Sequence, residues 1–467
     1  MTEQNHRTEE DSMGTVRVPA DAYYGAQTQR AKDNFPVSGY EFTRPFLWAI
    51  GHVKKAAAVV NEDLGLLDPD KSKAIQTAAK ELIRGELDDH FPLDIFQTGS
   101  GTSTNMNANE VLANRAIEVR GGEIGDRSVH PNDDVNMGQS SNDVIPTSIH
   151  LSVLREWYEE LKPALSEMQS VLEQKSEEME DVVKVGRTHL QDATPVTLGQ
   201  EIGGHAAQIR KSIRRLESSA KELRELPIGG TAVGTGLNTH PEFAERVCEH
   251  LQKRTGYEVR ETDNHFESQG ARDALVEFSG SLRTLAVALM KIANDIRWLG
   301  SGPRCGIGEI QVPAVQPGSS IMPGKINPVL AESVTQVAAQ VIGSDTTVSV
   351  AGQSGNFELN VMMPVIAYNI LESQRMLTNV TTAFREKCLE DIEPDEERCE
   401  DMVEQSLALV TNLAPEVGYD RAAEIAKEAH KTGKTIREVA LEKDLLPPER
   451  LDELLDPSQM LSPDEDA

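Results

Sequence analysis

Two long stretches of the sequence repeat their apolar residues at a spacing that suits long helices packed side by side. In residues 273–299, apolar residues follow one another in steps of three and four from Leu275 to Leu299. A period of about 3.5 residues is typical of a helix packed lengthwise in a bundle. A second stretch, 143–180, carries one apolar stripe from Ile149 to Leu172, and Pro163 is expected to kink it. The sequence therefore predicts a mostly α-helical fold with a central bundle of long helices.

Changes of pattern along the 467 residues divide the chain into three expected domains. Residues 1–138 combine helical stretches and loops, with a short hairpin expected around 16–25. Residues 139–392 hold the long apolar helices, and residues 393–467 form shorter helices with charged faces. Segments 227–240 and 300–328, rich in glycine and proline, are expected to be loops.

The charge balance restricts the possible partners. The chain has 76 Asp and Glu residues against 46 Lys and Arg residues, which gives a formal net charge of -30. An acidic surface repels phosphates, so nucleic acid is not expected as a partner. It suits a salt-rich solvent, where the Debye length falls to about 3 Å at 1 M salt. We predict a halophilic source, with an ordinary acidic protein as the alternative.

The sequence shows neither a membrane span nor the pattern of a secreted protein. It has no run of 18 apolar residues, and the N-terminal segment up to Gly14 has no apolar core. Its four cysteines show no CxxC spacing, which argues against a zinc site or a disulfide framework. No metal-ligand set, dinucleotide-binding motif or P-loop is visible. We expect a cytoplasmic protein that has no metal or cofactor and binds no membrane.

Three polar segments beside long helices hold candidate functional residues. Segment 98–110 (TGSGTSTNMNANE) concentrates hydroxyls and amides that suit carboxylate or phosphate oxygens, with a helix N-cap after a glycine hinge as the alternative. Segment 130–147 places Ser140, Ser141 and Asn142 before a long helix, as an anion site or a simple cap. Segment 185–201 places His189 before an expected proline-containing turn, as an acid or base or as a plain loop residue.

A fourth segment, 316–328 (QPGSSIMPGKINP), is the most specific of the set. Its prolines and glycines exclude a helix and predict a loop that can close over a ligand. Ser319 and Ser320 supply hydroxyls, Lys325 supplies a cation and Asn327 an amide, while the Ile-Met pair is suited to excluding water. Glu332 is expected at the start of the next helix. A surface loop without a function is the alternative.

These segments resemble the ordered motifs of the fumarase/aspartase superfamily. GSSIMPGKINP resembles its signature loop, and GSGTSTNMNANEVLANRA, HPNDDVNMGQSSND, GRTHLQDATPVTLGQE, GTAVGTGLNTHPEFAERV and GNFELNV resemble further motifs, so the resemblance covers nearly the whole chain. The chain is most similar to class II fumarases, because His189 stands where aspartases typically have glutamine. NPVLAE, 327–332, departs from the usual fumarase form toward the aspartase form, and NVMMPVIAYN also differs from the common version.

The resemblance implies reversible hydration of fumarate to (S)-malate in the tricarboxylic acid cycle. It also implies a homotetramer with a twenty-helix core and with active sites shared by three chains. An aspartase that releases ammonia from aspartate is the alternative, and a non-catalytic structural relative is a remote one.

The resemblance further assigns roles to individual residues. The implied catalytic residues are Ser319 as base, His189, Glu332 and Lys325. The implied substrate-binding residues are Ser100, Gly101, Thr102, Asn105, Ser140, Ser141, Asn142, Thr188, Ser320 and Asn327. A second, non-catalytic dicarboxylate site is implied at Arg127, His130, Asn132 and Asp133.

Overall fold

The computed structural model describes residues 6–463. The first five residues, which belong to the segment expected to lack a secretory signal, and the last four of the expected C-terminal domain lie outside this range. The described chain is mostly helical, as predicted. Its helices include none that is both long enough and apolar enough to cross a membrane.

The α-helices of the described residues are numbered here in chain order. They are α1 (Ala26–Asn34), α2 (Arg44–Asp63), α3 (Pro69–Arg84), α4 (Thr102–Val119), α5 (Ser141–Arg155), α6 (Lys162–Glu178), α7 (Leu198–Ala220), α8 (Phe243–Thr255), α9 (His265–Gly270), α10 (Asp273–Leu299), α11 (Val329–Gly352), α12 (Met363–Lys387), α13 (Glu396–Gln405), α14 (Ala414–Val417), α15 (Tyr419–Thr432), α16 (Ile436–Glu442) and α17 (Pro448–Leu454).

Short strands of the described residues pair two by two. They are β1 (His6–Asp11) with β2 (Gly14–Pro19), β3 (Val183–Thr188) with β4 (Gln191–Thr197), β5 (Glu225–Leu226) with β6 (Arg260–Glu261), β7 (Ile310–Gln311) with β10 (Glu393–Pro394), and β8 (Gly355–Asn356) with β9 (Leu359–Asn360). Only β5 and β6 among these are parallel.

Both predicted apolar stripes are buried. The seam residues of α10 from Leu275 to Leu299 are at most 4% exposed, and the stripe from Ile149 to Leu172 is fully buried. The second stripe runs through α5, a π-helical turn at Glu156–Leu161, and α6. Proline lacks an N–H and clashes with the carbonyl one turn earlier. The π-helical turn, which is wider than an α-helical turn and lies just before Pro163, accommodates this proline.

The chain divides into two compact units. Unit 1 takes the residues up to 163, 214–286 and 339–378, and within it α2 packs against α3, α5 and α8. Unit 2 takes residues 164–213, 287–338 and those from 379 onward, and its core includes Val185, Leu413 and Ile436. The three-domain division stays a prediction.

Two local expectations were wrong in position. The N-terminal hairpin lies earlier than expected. It consists of β1 and β2, which pair from His6 with Pro19 to Asp11 with Gly14. The expected turn around Pro195 is instead part of strand β4, where Pro195 lies opposite Val185. Proline is tolerated there because an edge strand leaves some N–H groups unpaired.

Candidate active site

The first polar segment leads into the N-terminus of α4, where two glycines permit close packing. A Cβ atom at Gly99 would overlap the main chain of Val361, which lies directly against it. Gly101 has a φ of 71°, a left-handed conformation that favours glycine. The hydroxyls of Ser100 and Thr102 then lie 2.7 Å apart at the start of the helix. The predicted glycine hinge and the predicted binding residues occupy the same turn.

The second polar segment forms a capping box at the start of α5. The Ser140 hydroxyl accepts a hydrogen bond from the Asn142 N–H, and one Asp143 oxygen accepts from the Ser140 N–H at 2.9 Å. The other Asp143 oxygen accepts from the N–H groups of Gly229 and Thr231, at 3.1 and 2.9 Å. Burial raises the pKa of Asp143 to about 6, although these N–H groups act in the opposite direction. Asp143 therefore holds a separate loop against the start of the helix.

Asn105 connects these two segments within unit 1. Its Nδ2 atom donates to Ser141 Oγ at 3.1 Å and to Asn136 Oδ1 at 3.2 Å. Its own Oδ1 atom is buried and has no hydrogen-bond partner among the described residues. The predicted binding residues Ser100, Thr102, Asn105 and Ser141 thus lie on two adjoining helix N-termini. Together they present neutral hydroxyl and amide groups, which are suited to binding carboxylate oxygens.

Lys54, a buried lysine next to this group, was not predicted from the sequence. Its side chain on α2 is fully buried, and Nζ donates to Asn136 Oδ1 at 2.9 Å and Gln139 Oε1 at 3.0 Å. Desolvation lowers the pKa of Lys54 to about 7, against the attraction of the Asp143 carboxylate. The available signal was a lysine on the face of α2 that otherwise carries apolar residues such as Ile50.

In unit 2, His189 lies at the exposed turn of the β3–β4 hairpin. Thr188 pairs with Gln191, and the two residues between them, His189 and Leu190, have φ values of 57° and 59°. Two consecutive left-handed residues match the twist of a tight hairpin but strain residues other than glycine. The structure therefore fixes the candidate imidazole on a strained, exposed turn.

A buried group of charges holds the base of this hairpin. Arg187 and Lys184 lie 2.7 and 3.3 Å from Glu309 Oε2, and Lys184 also lies 2.7 Å from a Glu201 oxygen. The side chains of Lys184 and Glu309 are at most 2% exposed. Because buried charges need geometrically good partners, this group fixes the strand that leads to His189. This group was not predicted from the sequence.

The fourth segment, 316–328, is a loop as predicted, and we call it the flap. The Gly318 N–H donates to the Lys325 carbonyl at 2.9 Å, and Asn327 Nδ2 donates to the Gly318 carbonyl at 2.6 Å. A Cβ atom at Gly318 would overlap the Lys325 carbonyl, so glycine is required for this closure. The two ends of the flap are therefore tied together by their own polar groups.

In the middle of the flap, two N–H groups point at the Ser319 hydroxyl. Ser319 Oγ accepts hydrogen bonds from the N–H groups of Ile321 and Met322, at 3.2 and 3.0 Å. Ile321 is 83% exposed and Met322 48% exposed, and Lys325 is exposed as well. Two N–H donors aimed at one hydroxyl oxygen favour negative charge on that oxygen.

Within the described residues of one chain, the predicted catalytic side chains are not in direct contact with one another. Glu332 lies in the first turn of α11, as predicted. Between residues 6 and 463, the side chains of His189, Lys325 and Glu332 form no hydrogen bond or ion pair with one another. That part of the chain also contains no cluster of three His, Cys, Asp or Glu side chains arranged to hold a metal ion.

The residues expected at a second dicarboxylate site lie around a cavity in unit 1. Arg127, His130 and Asn132 line this cavity of about 220 Å³, together with acidic residues that include Asp11. The Asp133 carboxylate lies 3.2 Å from His130 Nδ1, and its side chain is 82% exposed. Three of the four residues therefore share one cavity, and Asp133 lies beside it.

The long helices and the polar loops beside them are those of a lyase: the family described as "Lyase" matches residues 14–343, and the family described as "Fumarase C C-terminus" matches residues 409–462. Fumarate hydratase class II of Halobacterium salinarum is 56% identical over 98% of this chain and 97% of its own length. The mitochondrial fumarate hydratase of Saccharomyces cerevisiae is 52% identical over 98% of this chain and 94% of its own.

A solved structure gives the same result for the fold. The crystal structure of class II fumarase from Schistosoma mansoni has a TM-score of 0.95 and 41% sequence identity, and the match covers 98% of this chain and all of that one. The chain belongs to the class II fumarate hydratase family.

Proposed function

We propose that this chain is a fumarate hydratase that catalyses the reversible hydration of fumarate to (S)-malate in the tricarboxylic acid cycle. The observation that carries the proposal is full-length similarity to fumarate hydratases, at 56% and 52% identity. His189 at the hairpin turn supports hydration over the release of ammonia, because it provides an acid for a departing hydroxyl.

In the dehydration direction, a weakly acidic proton leaves the carbon beside a carboxylate of malate. The resulting aci-carboxylate carries an additional negative charge, which the site must stabilise. We assign this task to Lys325, Asn327 and the N–H groups of the flap. Lys325 is suited to it because its ammonium group has no carboxylate partner among residues 6–463 and is free to pair with the substrate.

Ser319 is proposed as the base that removes this proton. A serine hydroxyl is a poor base at neutral pH unless its anion is stabilised. The N–H groups of Ile321 and Met322 already donate to Ser319 Oγ, and Lys325 lies in the same flap. On the other face of the substrate, His189 protonates the departing hydroxyl, while Glu332 orients the imidazole.

The substrate carboxylates are proposed to bind neutral donors at the helix N-termini, at the β3–β4 hairpin and on the flap. These are Ser100, Gly101, Thr102, Asn105, Ser140, Ser141, Asn142, Thr188, Ser320 and Asn327. The net charge of -30 does not prevent binding. In water, unit charges 10 Å apart interact by only about 0.4 kcal/mol, so donors at contact distance dominate.

The assembly and location are further parts of the proposal. A cytoplasmic homotetramer in which three chains share each site would bring His189 and the exposed flap to a complete substrate pocket. The cavity beside Arg127, His130 and Asn132, with Asp133 next to it, is proposed as the second dicarboxylate site. Analytical ultracentrifugation at the assay concentration measures the oligomeric state of the active protein. A fully active monomer would contradict the shared site.

The activity itself is tested by ultraviolet absorbance, because fumarate absorbs and malate does not. Adding malate, and separately aspartate, to the pure protein distinguishes a hydratase, an ammonia-lyase and an inert scaffold. We expect a rise with malate only. His189→Asn should lower turnover at least about 100-fold, as loss of acid–base catalysis does. His430→Asn, at an exposed position of α15, is the matched control and should leave turnover unchanged.

A further inference from the structure

Lys54 is fully buried, and in its charged form, which prevails below its pKa of about 7, it is an ammonium group that no carboxylate of residues 6–463 contacts. Its hydrogen-bond acceptors are Asn136 Oδ1 and Gln139 Oε1, and no described carboxylate lies within ion-pair distance of Nζ. Burying a charge is costly, and uncharged amide oxygens offset that cost only in part. Such a group needs an explanation beyond packing, since an apolar side chain would fit the same helix face more favourably.

The ammonium group fixes the orientation of both amides. An ammonium group only donates, so Asn136 and Gln139 must turn their oxygens toward Nζ. Their NH₂ groups are fixed from the other side: Asn136 Nδ2 donates to the Gln139 carbonyl at 3.1 Å, and Gln139 Nε2 donates to the Val135 and Met137 carbonyls at 3.1 Å. Neither amide can rotate by half a turn without placing an NH₂ group against the cation.

This orientation is passed on to Asn105. Because Asn136 Oδ1 already faces the ammonium group, it can only accept from Asn105, and Asn105 must present its NH₂ group there. The second hydrogen of that NH₂ group is directed at Ser141 Oγ, 3.1 Å away. Ser141 Oγ is therefore an acceptor in this contact, and its own hydrogen is left for a different partner.

We propose that Lys54 is a positioning residue that acts through Asn136 and Asn105 to make the Ser141 hydroxyl a hydrogen-bond donor to a carboxylate of the substrate. The inference rests on the proposed function, because it takes Ser141 as a substrate-binding residue. Without Lys54, only the hydrogen bond from Asn136 Nδ2 to the Gln139 carbonyl still orients the Asn136 amide. When Asn136 and Asn105 turn over, the Ser141 hydroxyl donates to Asn105 Oδ1. That oxygen has no partner among the described residues in the present arrangement.

The test compares Lys54→Met, which has a similar volume and no charge, with the unsubstituted enzyme. We expect the KM for fumarate and the inhibition constant of succinate, a non-reacting dicarboxylate, to rise about 10- to 100-fold, as for a lost hydrogen bond to a charged group. The kcat should change much less. Lys55→Met, at the half-buried next position of α2, is the matched control and should leave both constants unchanged.

Ser141→Ala separates this role from a purely structural one. It should raise the same two constants by itself. Adding Lys54→Met to it should raise them little further, because both changes remove the same hydrogen bond from Ser141 to the substrate. If the fold-changes of the two single variants multiply in the double variant, Lys54 does not act through Ser141. If Ser141→Ala changes neither constant, the binding role of Ser141 in the proposed function fails, and the proposal for Lys54 fails with it.

A second pair of variants guards against misfolding of Lys54→Met. Asn136→Asp keeps oxygens for Lys54 and Asn105 but loses the donor to the Gln139 carbonyl, so it should bind succinate clearly better than Asn136→Leu. Asn136→Leu removes the connection and should weaken binding as Lys54→Met does, with the far-ultraviolet circular dichroism unchanged. Equal weakening by the Asp and Leu variants, or no weakening by either, would overturn the proposal.

Discussion

The two helix N-termini of unit 1 that carry Ser100, Thr102, Asn105 and Ser141, which we call the polar pocket, differ from the flap of unit 2 in how far one chain completes them. In the pocket, Asn105 is 1% exposed and its NH₂ group has both of its partners. In the flap, Ile321 is 83% exposed, and Lys325 has no ion-pair partner among residues 6–463. Two proposed tasks are separated in this way. Fixed donors would bind carboxylates without reorganisation, while the loop that carries the proposed base would be completed by substrate or by another chain.

The largest effect is expected from removing the proposed base on the flap. Ser319→Ala should lower kcat at least as much as His189→Asn, that is by about 100-fold or more. The midpoint of thermal unfolding should not change, because Ser319 is on a loop and only half-buried. Ser458→Ala, at an exposed position near the C-terminus, serves as a control. Near-normal turnover of the Ser319 variant would mean that water or another residue is the base.

The next effect concerns the buried charges beneath His189. Glu309→Gln leaves Arg187 and Lys184 without their shared carboxylate, so the free energy of unfolding should fall by about 3 kcal/mol. Urea unfolding at fixed protein concentration measures this. Glu201→Gln is the matched control and should cost less, because Glu201 is 27% exposed and Lys184 keeps Glu309. Equal losses would mean that the hairpin is not held mainly by Glu309.

A pH dependence should arise in unit 1 from His150. Desolvation, with the nearby Arg272 cation, lowers the pKa of His150 to about 4 from its usual 6.5. As pH falls from 7 to 5, the unfolded chain binds a proton that the folded chain does not, so folding is destabilised by about 2 kcal/mol at pH 5.

His150→Gln isolates this contribution. Glutamine keeps a donor for the Glu225 carbonyl, which lies 2.9 Å from His150 Nδ1, but does not titrate. The variant should lose about 2 kcal/mol less between pH 7 and pH 5, measured by urea unfolding. Asp143 and Glu156, whose raised pKa values act in the opposite sense, are present in both proteins and cancel in the difference. Parallel pH curves of the two proteins would mean that His150 binds its proton as readily in the folded protein as in the unfolded chain.

The contrast also explains what could be predicted from sequence. The period of the apolar residues from Leu275 to Leu299 was sufficient to predict the long helices, because the spacing of apolar residues alone indicates which stripe is buried. The flap followed from its prolines and glycines, and the cap at Ser140 from local side-chain chemistry. Roles such as that of Ser319 came only from resemblance and stay predictions.

The buried charges could not be predicted in the same way. Lys54 and Glu309 have sequence neighbours that do not reveal their partners, since Asn136 lies 82 residues from Lys54 and Arg187 lies 122 residues from Glu309. A charge becomes a positioning group only when the fold removes it from water beside specific acceptors. The turn at His189 is similar, because its left-handed residues reflect the pairing of β3 with β4 rather than any glycine in the sequence.

The smallest effect tests the comparison most directly. Ile321→Ser should change the free energy of unfolding by less than about 0.5 kcal/mol, because the side chain is exposed. Ile145→Val is the matched variant beside Gly101 in the pocket, where Ile145 is fully buried, and it should cost about 1 kcal/mol. Urea unfolding of both variants at the assay concentration gives the difference. A loss above 1 kcal/mol for Ile321→Ser would mean that another chain already covers the flap in the free enzyme, so that pocket and flap are equally complete before substrate binds.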